Sequence, residues 1–594
     1  MLDYLILGGT VIDGTGTAGV VADVGVRDGR IVALGAIDES ARETIDATGL
    51  VVCPGFVDPH THYDAQLFWD PYATPSNVHG ITSIVAGNCG FTLAPLDPGN
   101  ADYLLNMMVK VEGMPKAALE EGVPWDWRTF GEFLDRFEGR LGVNAGFLVG
   151  HTALRRHVMG AASVGNEASA AQLDAMKQLL HESIESGGMG FSTSLAYTHS
   201  DGDGQPVPSR WSSRDEVLSL CEVVSHHDGT TLELVSDGCL NGFSDDEIAL
   251  FTDMSLAGQR SVNWNVLTID SARPDDYQHQ MALGEIAARK GARVVALTMP
   301  VLVGMNMSFR NYCALFMLPD WAPIMNLPLA ERIAKLRDRD TRIFMENRAA
   351  SPDAGAFGRL TGWDRYVIGD TYSAANEGLK GRRIREIARE RGERDFFTLL
   401  DIVINDELKT VLWPGPTDDD GESWRMRAEA WSDPNVMIGG SDAGAHLDRM
   451  CGAPYTTEFL ADCIRGRRLA SIERAIHLMT DVPARFFGLR DRGRVAEGWF
   501  ADLVVFDPAT VGAGDIVMRA DLPGGCGRLY ADSVGIEQVF VNGRRIVADG
   551  ITTGDLPGTV LRSGRHTDTV LIPAASFNQQ AANANQQAAS SKPR

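Results

Sequence analysis

The feature that most constrains this chain is a change of rhythm along it. At both ends, short apolar runs are broken by turn residues; in the middle, buried runs alternate with long amphipathic stretches. Residues 5–7 precede Gly8-Gly9, residues 24–26 precede Asp28-Gly29, and residues 31–34 follow. Such spacing indicates a small all-β unit. The same pattern returns at residues 501–506 and 539–547, where Asn542-Gly543 is a hairpin signal. The two ends, 1–53 and 485–573, are therefore expected to pair into one small β-sandwich. Between them, residues 81–85, 143–149, 231–235, 261–267, 292–297 and 436–438 read as strands, and 170–186, 278–290 and 379–391 as helices. Strands covered by helices on both faces form a parallel sheet, and this many units predict an α/β fold with a (β/α)8 TIM-like barrel over 54–484. The stretch within about 300–430 is too long for one βα unit and is expected to carry an insertion over the strand ends. The Gln, Asn, Ala and Ser of 574–594 cannot form a core, so a disordered tail is expected there.

Composition narrows the function. Lys and Arg number 54 against 79 Asp and Glu, a formal charge of −25, which disfavours nucleic-acid partners. With 44% hydrophobic and 22% charged residues the balance is that of a globular protein with ample core. No run approaches the ~18 apolar residues of a membrane span, and no membrane partner is expected. The N-terminus carries Asp3 where a signal peptide would be basic, and eight cysteines are too sparse for a disulfide scaffold. A reduced cytoplasm is the expected location.

Three motifs carry chemistry. In Pro54-Gly55-Phe56-Val57-Asp58-Pro59-His60-Thr61-His62, residues two apart on a strand share a side, so His60 and His62 can present two imidazoles together. The strand's C-terminal end is where barrel enzymes place their chemistry, and both are expected to be metal ligands. Cys89, in Gly87-Asn88-Cys89-Gly90, has an approachable backbone and its thiolate would suit zinc, but a lone cysteine is more often a small buried hydrophobe, and taken alone the motif favours that reading. Asp442 ends the apolar run before Gly439-Gly440-Ser441, where an acid can bind metal and accept a proton from water, or cap a turn.

Together PGFVDPHTHYD, GNCG and IGGSDAGAH, with LILGGTVIDGTG, LVGHTALR, GGMGFSTSLAY and GRVAEGWFADLVVFD, resemble the amidohydrolase superfamily, specifically its N-acyl-D-amino-acid deacylases, across nearly the whole chain. The resemblance implies a metal-dependent barrel with a β-sandwich from both ends, and zinc, one or two ions, as cofactor. It puts His60, His62 and Cys89 on metal-ligand positions and Asp442 on the catalytic aspartate. Arg449 falls where the family places an arginine for the substrate carboxylate, and Tyr197 on a pocket tyrosine. His151, in a family motif, is counted with them as substrate-binding.

Two departures stand out. The family's two middle-strand histidines become Glu233 and Asn265, and a pocket lysine becomes Leu267. Glu233 can bind zinc through oxygen; asparagine is a poorer ligand. In the buried pattern TLELV, Glu233 needs a cation, either metal or a buried arginine or lysine. His226-His227, ending a helical stretch, is expected to be a solvated pair. The expected function is metal-dependent hydrolysis of a C–N amide bond in a small molecule with a carboxylate, such as an N-acyl amino acid. The rivals are a cyclic amide or imide or xenobiotic amide hydrolase, and a metal-poor binding protein on the same fold. A homo-oligomer is allowed for.

Overall fold

The computed structural model describes residues 1–311 and 313–572; the tail expected at 574–594 lies outside the described residues. The chain divides into two compact units. One comprises Met1–Ile269, Arg273–Val301 and the chain from Trp424 onward; the other comprises Asp270–Ala272 and Leu302–Ser423.

In the first unit both chain ends enter one nine-stranded sheet. Val51–Pro54 lies antiparallel to Leu503–Phe506, with Val52 opposite Val505, so segments some 450 residues apart form its centre. Ile6, Val24, Val26, Ile31, Val52, Leu503, Val505 and Phe540 bury a common core. The turn at Asn542-Gly543 has positive φ at both residues (48° and 70°), the conformation that Asn-Gly favours and that lets Ile536–Val541 pair with Arg544–Ala548.

A second set of strands is parallel and follows chain order: Phe56–Asp58, Ile81–Ala86, Asn144–Phe147 continued by Val149–Gly150, Gly190–Ser194, Thr231–Val235, Val262–Asn265, Val294–Thr298 and Val436–Ile438. Nearly every residue in them is buried, as expected when both faces are covered. Hydrogen bonding groups them into two ladders, separated at Leu148, with Val560–Leu561 added beside Asn144–Phe147. Among the described residues no ladder joins Phe56–Asp58 to Val436–Ile438, so the hydrogen-bonded ring is not closed. Backbone bonds just beyond those strands tie them instead: Asp442 N–H donates to His60 C=O (3.2 Å) and His62 N–H to Ala443 C=O (2.7 Å).

Helix limits follow local capping. Ala170–Glu185 begins at a Ser169/Gln172 capping box. Pro274–Arg289 starts earlier than periodicity suggests, because Pro274 suits the first helical turn. Ile384–Arg391 starts later than 379, since Gly381 sits at φ 83° and interrupts the helix. The second unit has its own aromatic core, in which Trp321 stacks on Trp363 (5.8 Å between centroids) and both meet Phe396. Among the described residues no helix is long and apolar enough to cross a membrane.

Candidate metal centre

His60 and His62 leave the end of Phe56–Asp58 fully buried, their rings edge to face 5.2 Å apart. Asp58 anchors this turn, accepting from Ser441 Oγ and from the Ser441 and His60 amides. The next strand, Ile81–Ala86, runs into a loop where Gly87, Cys89 and Gly90 all have positive φ (78°, 55° and 73°). Side chains are barred at both glycines: a Cβ would lie 2.4 Å from Leu148 O at Gly87 and 2.9 Å from Thr193 Cα at Gly90. The loop carries Cys89 Sγ to 3.6 Å from His60 Nε2. From Thr231–Val235, three strands further on, Glu233 Oε2 accepts the Cys89 N–H at 2.9 Å. Past Val436–Ile438, Asp442 (φ 56°) brings Oδ1 to 3.0 Å from His62 Nε2 and 3.8 Å from His60 Nε2.

Acidic groups crowd these imidazoles. Burial lowers His60 to about 3, helped by the charge of His62. Burial also works to lower His62, but Glu112 and Asp442 raise it to about 10. Burial lifts Glu112 to about 7 against the pull of His62, and Glu233 to about 8 against the Cys89 N–H bond. Burial opposes ionisation of Asp442 as well, yet its hydrogen bond to His62, with the charges of His62, His446 and His60, holds the carboxyl well below its usual range. The Cys89 thiol is pushed far up, by burial first and then by Glu233. A bound cation inverts this logic, favouring thiolate and carboxylate.

The residues fit a metal. Two donor groups, His60–His62–Cys89 and His62–Glu112–Asp442, each have their atoms within 4.8 Å of one another. Zinc bonds of about 2.0–2.3 Å in a tetrahedron place donors roughly 3.3–3.8 Å apart, which suits the 3.6 Å between Cys89 and His60. His60 Nδ1, His62 Nδ1, Asp64 Oδ1, Glu233 Oε1, Asn265 Oδ1 and His446 Nδ1 are all buried without a hydrogen-bond partner. An orphaned buried polar atom costs about 1–3 kcal/mol, so their concentration here is what a cation-binding cradle requires.

The structure thus gathers His60, His62, Cys89 and Asp442, with Glu233 one hydrogen bond away. Asn265 also reaches the centre, donating Nδ2–H to Cys89 Sγ at 3.7 Å. No arginine or lysine pairs with Glu233 among the described residues, which removes the ion-pair account of its burial. Arg449 bonds Asp448 through Nε, and its Nη2 and His446 Nδ1 both border Gly113. Tyr197 is half-buried; its amide donates to Asp237 and its carbonyl accepts from Arg210.

His151 must be corrected. It is wholly buried, with Nδ1 on Thr193 Oγ1 and Nε2 on Glu216 Oε1, both at 2.8 Å, so no ring nitrogen remains for a substrate. The expected solvated pair is half so: His226 is exposed, but His227 Nε2 meets His181 Nδ1 at 3.0 Å. Sequence reasoning missed Glu112, His199, His446 and Asp64. Asp64 and His446 stand within the quoted motifs and were open to notice. His199, bonded to Ser194 Oγ at 2.6 Å, lies two residues beyond Tyr197. Glu112, just past helix Ala101–Val111, carried no local signal.

Imidazoles, a thiol and carboxylates gathered beyond the C-terminal ends of parallel strands define the class of metal-centred α/β hydrolases. The chain belongs to the amidohydrolase family, whose model matches residues 43–547. It is 30% identical to the N-acyl-D-aspartate deacylase of Alcaligenes xylosoxydans xylosoxydans, over 95% of this chain and 95% of that one. The same organism's D-aminoacylase is 29% identical, over 94% and 97% respectively. Among solved structures, the N-acyl-D-glutamate deacylase of Bordetella bronchiseptica, complexed with zinc and a phosphonate mimic of the tetrahedral intermediate, superposes with a TM-score of 0.61. It is 25% identical and covers 95% of this chain and 100% of that one.

Proposed function

We propose that this protein is a zinc-dependent amidohydrolase that cleaves the C–N amide bond of an N-acyl amino acid, adding water to give a carboxylate and a free amine. The observation that carries the reading is the convergence of His60, His62, Cys89 and Asp442 amid orphaned buried donors. The eight parallel segments are read as the family's (β/α)8 ring over 54–484, interrupted within about 300–430, and the terminal sheet as the β-sandwich of 1–53 and 485–573. The names of the relatives support the acyl amino acid class, with D-configured substrates the first to try.

In this reading His60, His62 and Cys89 hold one or two zinc ions, with Glu233 offering Oε1. Bound zinc supplies Lewis acidity toward the amide carbonyl and makes water a stronger acid. Asp442, ionised and 32% exposed, accepts the proton of the attacking water and returns it to the leaving amine. Arg449 receives the substrate carboxylate through its planar fork, and Tyr197 lines the pocket. The charge of −25 does not bar an anionic substrate, because repulsion from distant charges is screened beyond the ~8–10 Å Debye length. A cytoplasmic location belongs to the same proposal and rests on eight free cysteines.

The test is elemental analysis of protein purified without chelator, beside hydrolysis of N-acetyl-D-amino acids, their L enantiomers and a cyclic imide. About one or more zinc per chain and turnover of an N-acyl amino acid are expected. A double His60→Ala, His62→Ala variant should lose both while its circular dichroism stays native. Well under one metal per chain with hydrolysis intact would overturn the reading.

A further inference from the structure

Helix Ala101–Val111 ends at Glu112, outside every motif that marks the site. Its carboxylate is buried, 5% exposed at the side chain, and its one ion-pair partner among the described residues is His62, with Oε1 at 3.5 Å from Nδ1. The backbone locks it there. Glu112 C=O accepts the N–H of His446, and Gly113 follows at φ 59°, where a Cβ would lie 3.0 Å from His446 Nδ1. A side chain at 113 would therefore press on His446 and strain the backbone between the helix end and the 442–449 loop. Glu112 is thus held against His62 by the same loop that carries Asp442.

The two carboxylates address opposite nitrogens of one ring. Asp442 faces Nε2 at 3.0 Å and Glu112 faces Nδ1 at 3.5 Å, while Nδ1 has no hydrogen-bond partner and is fully buried. A neutral imidazole carries one proton, and the nitrogen that bears it cannot ligate. If Nε2 faces the metal, Nδ1 bears the proton and needs an acceptor; Glu112 is the carboxylate placed there. We infer that Glu112 is a positioning residue of the metal centre, one that takes the Nδ1–H of His62, fixes its tautomer and turns Nε2 toward Asp442 and the metal. The inference rests on the metal-site reading above. Glu112 does not touch substrate in it; it acts through His62, as carboxylates behind metal-bound histidines do.

Chelator-competition titration of zinc into metal-free protein tests this on wild type, Glu112→Gln and Glu112→Ala, with cobalt(II) absorption of the loaded proteins as second readout. Loss of such an outer partner lowers metal affinity about 10–100-fold. Glu112→Ala should fall near the hundredfold end. Glu112→Gln keeps an acceptor oxygen but not the charge, and should fall near tenfold. The cobalt band should stay in its wild-type position in both, since the ligands are unchanged. If Glu112→Ala does not fold, Glu112→Gln carries the comparison. Wild-type zinc affinity in the variants overturns the inference. So does a shifted cobalt band with Glu112→Gln as weak as Glu112→Ala, which would make Glu112 a direct ligand. A wild-type protein that binds no zinc overturns the functional reading and this inference together.

Discussion

His151 and His62 are both fully buried imidazoles beside a carboxylate, and their surroundings differ in how far their hydrogen bonds are met. Around His151 both ring nitrogens are engaged, and Glu216 takes both its oxygens to Arg155 Nη1 at 2.6 Å, with only Arg155 Nε left over. Around His62 and its neighbours, six buried polar atoms lack partners and acids outnumber cations. The first group is a closed network that stiffens the strand Gly190–Ser194 against helix Arg214–Ser225. The second is open: its unpartnered atoms belong to residues gathered around His62, Cys89 and Asp442. Burial and residue type do not separate scaffold from site here; hydrogen-bond satisfaction does.

That contrast breaks most sharply at Asp442. Asp442→Asn keeps the shape but cannot take a proton as a carboxylate does, so kcat should fall about 10²–10⁴-fold, measured on whichever acyl amino acid the wild type turns over. A variant keeping a tenth of wild-type kcat would remove Asp442 from proton transfer. The closed network should respond in stability instead. Glu216→Ala strands Arg155 and His151 and should cost about 3–5 kcal/mol in urea unfolding, with metal content unchanged. Because the Glu216 carboxyl titrates below its ordinary 4.5 in the folded protein, this stabilisation is complete above pH 4.5. It disappears as the pH falls through the lower, folded value. Loss of metal without loss of stability would erase the distinction between the two groups.

The smallest expected effect sharpens the boundary between them. Glu233 has one oxygen in the closed style, on Cys89 N–H, and one in the open style, unpartnered. Glu233→Gln preserves the first and removes the charge behind the second, so zinc affinity should drop by about tenfold with folding intact. Unchanged affinity by chelator competition would confine Glu233 to anchoring the cysteine loop.

Much of this was readable along the chain. The period-two pairing of His60 and His62, the glycines flanking Cys89, the turn at Asn542-Gly543 and the buried acid in TLELV are local patterns, and local geometry realises each of them. Helix starts were less legible where Gly381 or Pro274 overrides periodicity. His151 misled because a motif residue can support a site from behind without facing it.

What the sequence by itself determined was the order of strands, the residue types brought to their ends and the backbone conformations that expose them, all set by spacing within a few residues. Only the tertiary structure decided which nitrogen of His62 meets which carboxylate, that Cys89 is clamped by Glu233 across 144 residues, and that Ser441 closes on Asp58 across 383. Those pairings depend on packing between distant segments, and a buried donor finds its acceptor, or is left without one, only once that packing is in place.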